Sequence, residues 1–90
     1  MARIGVVGVG GMGRGHCNTL PKVRNCEFVG VADVRIEAAE EVAKQHGAAA
    51  FDDYRRLFEQ VDGVVVATPP ATHREVTVAA AEMEIGRAHV

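Results

Sequence analysis

Apolar residues recur along this chain in two spacings, and the spacings alternate. Short unbroken runs, RIGVV (residues 3–7), EFVGVA (27–32) and VDGVVVA (61–67), are rich in β-branched side chains and predict strands buried on both faces. Residues 12–20 predict a helix stopped by Pro21. Ile36, Ala39, Val42 and Ala43 then share one helical face, with Glu37, Glu40, Glu41 and Lys44 outside it. Glu40 and Lys44 have the spacing of an i,i+4 ion pair, and Gly47 suits the left-handed position just past that helix. Residues 48–51 predict a short strand, and Asp52 or Asp53 a cap for the helical turn over 54–59. Thr72 and Glu75 have capping-box spacing, opening a helix that carries Val76, Ala79, Ala80 and Met83 on one face.

Strands alternating with helices imply parallel strands joined by right-handed crossovers. The expected fold class is α/β: a partial Rossmann-type parallel sheet, strand order 3-2-1-4, with flanking helices. Neither repeat nor linker divides the 90 residues, so residues 1–83 read as part of one domain. At 48% hydrophobic and 24% charged, the composition is globular rather than disordered. The net charge of −2 and scattered basic residues argue against nucleic acid or an anionic membrane as a partner. Cys17 and Cys26 lack the spacing of a metal or redox pair and read as buried or spare thiols in a reducing compartment. A strand-like run opens the chain without a signal peptide, and no apolar run is long enough to span a bilayer. The expectation is a cytoplasmic protein.

Candidate chemistry begins at VVGVGGMGRGH, where one register fits GxGxxG: Gly8, Gly10 and Gly13. Gly8 allows the tight turn out of the strand, Gly10 lets a pyrophosphate approach the backbone, and Gly13 lets helix pack on strand. The helix start, including Gly11 and Met12, offers N–H groups and positive potential to phosphates. Asp33 lies 20 residues beyond Gly13, at the end of the second strand, where its carboxylate can accept hydrogen bonds from a ribose 2′-hydroxyl. It repels a 2′-phosphate, favouring NAD over NADP, whereas Arg35, two residues on, can pair with one. The plainer reading of Asp33 alone is a helix N-terminal cap, and the glycines weigh against it.

IGVVGVGGMGRGH, GVADV, FDDY and VVVATPPATHREV together resemble the glucose–fructose oxidoreductase / inositol dehydrogenase family (Gfo/Idh/MocA) over residues 3–83. The resemblance implies a nicotinamide-dependent oxidoreductase acting on a sugar, cyclitol or related polyol. It places Ala67, Thr68, Pro69, Pro70 and His73 beside the cofactor and adds Val34 to Asp33 and Arg35 at the ribose end. His16 matches a histidine common in the family's first helix. Read without the family, the prolines end the strand, His73 is a first-turn residue and His16 is a packing residue. No metal site is expected. The family's next strand leads to a Glu-Lys-Pro motif whose lysine transfers a proton, and a second domain follows; neither is in these residues. No catalytic residue is therefore assigned, and the piece is expected to be inactive and marginally stable, with its fourth strand an exposed edge. A homo-oligomeric parent is compatible with this reading. The rival is a dinucleotide-binding sensor or regulatory module without chemistry.

The ending EIGRAHV is the translation of GAG ATC GGA AGA GCA CAC GTC, the start of a widely used sequencing-library adapter. Residues 84–90 are expected to derive from it. In the other reading, Gly86 caps a helix and the next strand begins at Arg87.

Overall fold

The computed structural model describes residues 2–22, 25–83 and 85–89, with the backbone alone at Gly11, Met12, Pro21 and residues 86–89. Its elements are β1 (Ala2–Val7), α1 (Gly11–Thr19), a single 3-10 turn (Leu20–Lys22), β2 (Cys26–Ala32) and α2 (Ile36–His46). They continue with β3 (Ala49–Phe51), α3 (Tyr54–Phe58), β4 (Gly63–Val66), α4 (Pro70–Glu82) and β5 (Gly86–His89). The strands form one parallel sheet in the order β3-β2-β1-β4-β5.

Strand periodicity divides the core into two layers. Val6, Val31 and Val65 face α1 and α2, where they pack with Cys17, Ala39, Val42 and Ala43. Their chain neighbours Val7, Ala32, Val64 and Val66 face the other side and pack with Leu57, Phe58, Val76 and Ala80. Continuous apolar runs are thus the chemical requirement of a sheet covered on both faces. Leu57, fully buried, rests over Gly5 and Gly30; a Cβ on either would stand 2.8 Å from a Leu57 methyl carbon. The β1–β2 register shifts between Ile4 and Gly5, bringing those two glycines opposite each other under that side chain.

Several expected details form. Gly47 adopts the left-handed conformation (φ 65°) after α2, and Ala48 N–H closes on the Ala43 carbonyl at 2.9 Å. Asp53, rather than Asp52, caps α3 by accepting the Arg55 N–H at 2.9 Å.

Others do not. Thr72 and Glu75 form no capping box: α4 starts two residues earlier at Pro70, whose missing N–H costs nothing at a helix start. The Thr72 hydroxyl instead donates to the Pro69 carbonyl at 3.2 Å. Met83 lies past the end of α4 and is 43% exposed, so it is no part of the helix's buried face. Glu40 and Lys44 form no ion pair; the neighbouring Glu41 pairs with Arg14 of α1. Nor is β4 an edge. Gly86–His89 pair with it in register, and Ile85 is buried against the Val64–Val66 face, its N–H donating to the Ala80 carbonyl at 2.9 Å. Backbone pairing asks little of side-chain identity, and one apolar residue after α4 suffices to return the chain to the sheet.

Burial pushes the Cys17 thiol up to about 11, with Arg14 opposing weakly. Below pH 9 the thiol is neutral folded and unfolded; as pH rises towards 11 only the unfolded chain ionises. The chain should therefore lose stability across that window, on the order of 2 kcal/mol from this group, measurable as a falling urea midpoint that Cys17→Ala flattens.

Candidate functional site

At the carboxyl end of β1 the chain leaves the sheet pinned on both sides. Gly8 N–H donates to the Ala32 carbonyl of β2, and Ala67 N–H, just past β4, donates to the Val7 carbonyl, both at 2.8 Å. Gly8 sits at φ +92°, and a Cβ there would stand 2.8 Å from the Ala67 carbonyl oxygen. Only glycine meets both conditions without strain. At Gly13, the first turn of α1 lies so close to the Gly8 carbonyl oxygen that a Cβ would overlap it. Gly10 differs: a Cβ there would meet nothing within 4 Å. That open side is where a ligand can touch the loop's backbone.

Helical bonding begins with Arg14 N–H donating to the Gly10 carbonyl at 2.9 Å. The N–H groups of Gly11, Met12 and Gly13 thus precede the first helical bond and carry the positive end of α1. Asp33, just past β2, binds across to this loop. Its Oδ2 accepts the Val9 N–H at 3.0 Å, while its Oδ1 accepts the Arg35 N–H at 2.9 Å and turns the chain into α2. Asp33 thus holds the glycine loop and the turn before α2, but it is not that helix's cap: Arg35 occupies the N-cap position and α2 has no side-chain cap. Arg14 Nε donates to the Val9 carbonyl at 3.1 Å, so Val9 is gripped through both of its backbone polar groups.

The opposite wall is the turn into α4. Pro69 is extended (φ −58°, ψ 156°), and its carbonyl accepts the N–H groups of Thr72 and His73 at 3.0 and 2.9 Å. Thr68 Oγ1 is buried without a hydrogen-bond partner among the described residues, the condition of a hydroxyl that a bound polar group would satisfy. The Tyr54 hydroxyl of α3 donates to Glu75 Oε1 of α4 at 3.1 Å, and its ring packs on Phe58 and under Arg55. Burial, and next the bond to Glu75, push the Tyr54 hydroxyl's pKa up, so it stays a donor at neutral pH.

These walls enclose a crevice of about 1240 Å³ at the switch point between β1 and β4. Of the residues singled out from sequence, Gly8, Gly10, Asp33, Val34, Arg35, Ala67, Thr68, Pro69, Pro70 and His73 line it. Gly13 does not; it makes the contact between helix and loop, and the side chains of Gly11 and Met12 lie outside the described residues. Val34, 88% exposed, is an apolar surface at the Asp33 end. His16, half-buried on α1, is not among the lining residues. Arg14, Asp52, Tyr54 and Glu75 line it too, unanticipated from sequence. Asp52 and Tyr54 follow the end of β3, and Arg14 follows the last loop glycine, so the rule that ligands bind beyond strand ends could have found them. Among the described residues, no three His, Cys, Asp or Glu side chains converge as a metal site would need.

This geometry has close counterparts. The Gfo/Idh/MocA family model, described as an oxidoreductase family with an NAD-binding Rossmann fold, matches residues 2–90. Glucose-6-phosphate 3-dehydrogenase of Bacillus subtilis is 36% identical over 75 residues, 83% of this chain and 21% of that protein. The structure of UDP-N-acetylglucosamine 3-dehydrogenase from Acidithiobacillus ferrooxidans superposes with a TM-score of 0.91 at 33% identity, over 98% of this chain and 29% of that one. Myo-inositol dehydrogenase from Lactobacillus casei, solved with NAD(H) and myo-inositol, superposes with a TM-score of 0.90 at 26% identity, over 99% of this chain and 28% of that one. The chain thus spans between a fifth and a third of the length of these relatives.

Proposed function

The chain belongs to the Gfo/Idh/MocA oxidoreductase family as its NAD-binding Rossmann part, and on that premise we propose that its parent is an NAD-dependent dehydrogenase of a sugar, cyclitol or related polyol. The observation that carries the cofactor side is the Asp33 carboxylate bonded to Val9 N–H beside the open face of Gly10. Acid and phosphate loop are thereby held as one rigid unit, with Thr68 Oγ1 in want of a partner on the facing wall.

Bound there, the dinucleotide would supply the hydride acceptor; the residues of this chain bind and orient it. The helix start from Gly11 to Gly13 would take the pyrophosphate, Asp33 the adenosine ribose, and Thr68 to Pro70 the facing side. Two features support NAD over NADP: the negative charge of Asp33, and its fixed aim at the loop. We assign the chain no acid–base residue, and the chain alone should not oxidise a polyol. Turnover of myo-inositol with NAD by the 90-residue chain would overturn that assignment.

Titration of NADH into the chain, read by nicotinamide fluorescence, tests the cofactor reading. Asp33→Ala should weaken binding about tenfold or more, because it removes the ribose acceptor and frees Val9 N–H together. Unchanged affinity in that variant would sink the role of Asp33.

We place the protein in the cytoplasm, supported by two cysteines that are both free. Among the described residues no helix is long and apolar enough to cross a membrane. We further hold residues 84–90 to be adapter-encoded. Their strand does not bear on origin, since β pairing runs through backbone groups. Resequencing the source DNA across the Met83 codon decides it, and a frame running on into Glu-Lys-Pro would reject the adapter.

A further inference from the structure

We propose that Arg14, held by Glu41, governs how the crevice discriminates a ribose 2′-hydroxyl from a 2′-phosphate; this rests on the dinucleotide reading above. Three contacts lead to it. Asp33 Oδ2 accepts the Val9 N–H at 3.0 Å, and Arg14 Nε donates to the Val9 carbonyl at 3.1 Å. The acid of the ribose end and this guanidinium are therefore tied to the two ends of one residue, and both line the crevice. Beyond that tether, Arg14 Nη1 reaches Glu41 Oε1 of α2 at 3.4 Å.

The arrangement gives Arg14 a fixed position and an occupied charge. A guanidinium is the side chain suited to a phosphate dianion, since its planar fork offers several N–H groups at once. Nε is committed to the loop, Nη1 faces Glu41, and among the described residues Nη2 makes no hydrogen bond. The fork is thus pre-positioned on the residue that Asp33 also grips, at the wall of the same crevice, with donors to spare. What opposes a 2′-phosphate is charge: Asp33 repels it directly, and Glu41 both neutralises Arg14 and adds a second negative group to the same corner. Arg35, the nearer cation in sequence, has its backbone fixed by Asp33 but makes no side-chain ion pair among the described residues. Its charge is therefore not subject to Glu41. Glu41 is a positioning residue in this account, acting through Arg14 and not on the ligand.

The test is the ratio of dissociation constants for NADP and NAD, measured by calorimetry on the 90-residue chain. A merely structural role would move both constants together and leave their ratio unchanged. Glu41, 62% exposed, can be replaced without disturbing the core. Glu41→Gln should shift the ratio about fivefold towards NADP at low salt, the size expected for removing one charge near a dianion in water. The shift should shrink as salt is raised, because exposed charges are screened. Adding Arg14→Ala should cancel it, whereas adding Arg35→Ala should leave it in place. An unchanged ratio in Glu41→Gln overturns the proposal whatever becomes of the double variants. So does a shift that survives Arg14→Ala or disappears with Arg35→Ala. Failure of the unmodified chain to bind NAD would instead overturn the dinucleotide reading, and this proposal with it.

Discussion

Replacing Gly13 with alanine should abolish dinucleotide binding and lower the unfolding midpoint by about 10 °C or more. The added Cβ overlaps the Gly8 carbonyl oxygen, which is backbone and cannot swing aside. Gly8 cannot retreat either: its φ of +92° is set by the turn, its N–H is bonded to Ala32, and its open side is closed by the Ala67 carbonyl. The first turn of α1 must therefore lift from the loop, taking the helix-start N–H groups out of the crevice. Overpacking of this kind costs about 1–3 kcal/mol or more, and each kcal/mol is worth about 4–8 °C in a domain this small. Thermal melts by circular dichroism and an NADH titration read both effects. Gly10→Ala is the matched control. Its Cβ enters open space, so the melt should move little while affinity falls, because the methyl stands where the ligand approaches. A melt for Gly13→Ala that matches the parent chain would mean the helix–loop contact is looser than described.

Leu57→Ala should cost about 4 kcal/mol, a large share of the roughly 5–15 kcal/mol that holds a domain together. Leu57 is fully buried at the point where α3 meets β1 and β2. Beneath it lie Gly5 and Gly30, which have no side chains to move into the space left behind. Sites that cannot collapse lie at the costly end of the large-to-small range. The loss reaches the crevice as well, since Tyr54, one turn earlier on α3, lines it and holds Glu75 of α4. Urea denaturation gives the stability change. A cost below about 1 kcal/mol would show that the layer repacks, contrary to its glycine floor.

How much of the site was legible depends on where each partner lies in sequence. The glycine loop was legible because Gly8, Gly10 and Gly13 answer to local geometry: a turn, an approach and a contact within one strand–helix unit. Asp33 was legible from its distance to that loop, whereas its reading as a helix cap fails: its bonds go to Val9 and to Arg35, itself the N-cap residue, and none to the first turn of α2. The capping box was misread for a reason of competition. Thr72 and Glu75 have the right spacing, but Pro70 takes the helix start first, leaving Glu75 for a tyrosine 21 residues earlier in sequence. The Glu40–Lys44 pair does not form, and nothing in the structure explains it; the ion pair that Arg14 makes with Glu41 joins residues 27 positions apart. The fourth strand was expected to be an exposed edge because residues 84–90 were set aside, although the other reading began a strand at Arg87; Gly86–His89 take that edge through backbone groups.

By itself the sequence determined which runs are strands, which faces are apolar and where glycine is obligatory, because these follow from periodicities and backbone sterics a few residues long. Tertiary structure alone decided that Arg14 and Asp33 grip the two ends of Val9, that Tyr54 ties α3 to α4, and that Leu57 rests on two glycines. Those contacts join residues from 5 to 52 positions apart, and their chemistry is common to many arginines, tyrosines and leucines. Only the order in which parallel strands assemble brings these ones together, and with them the walls of the crevice.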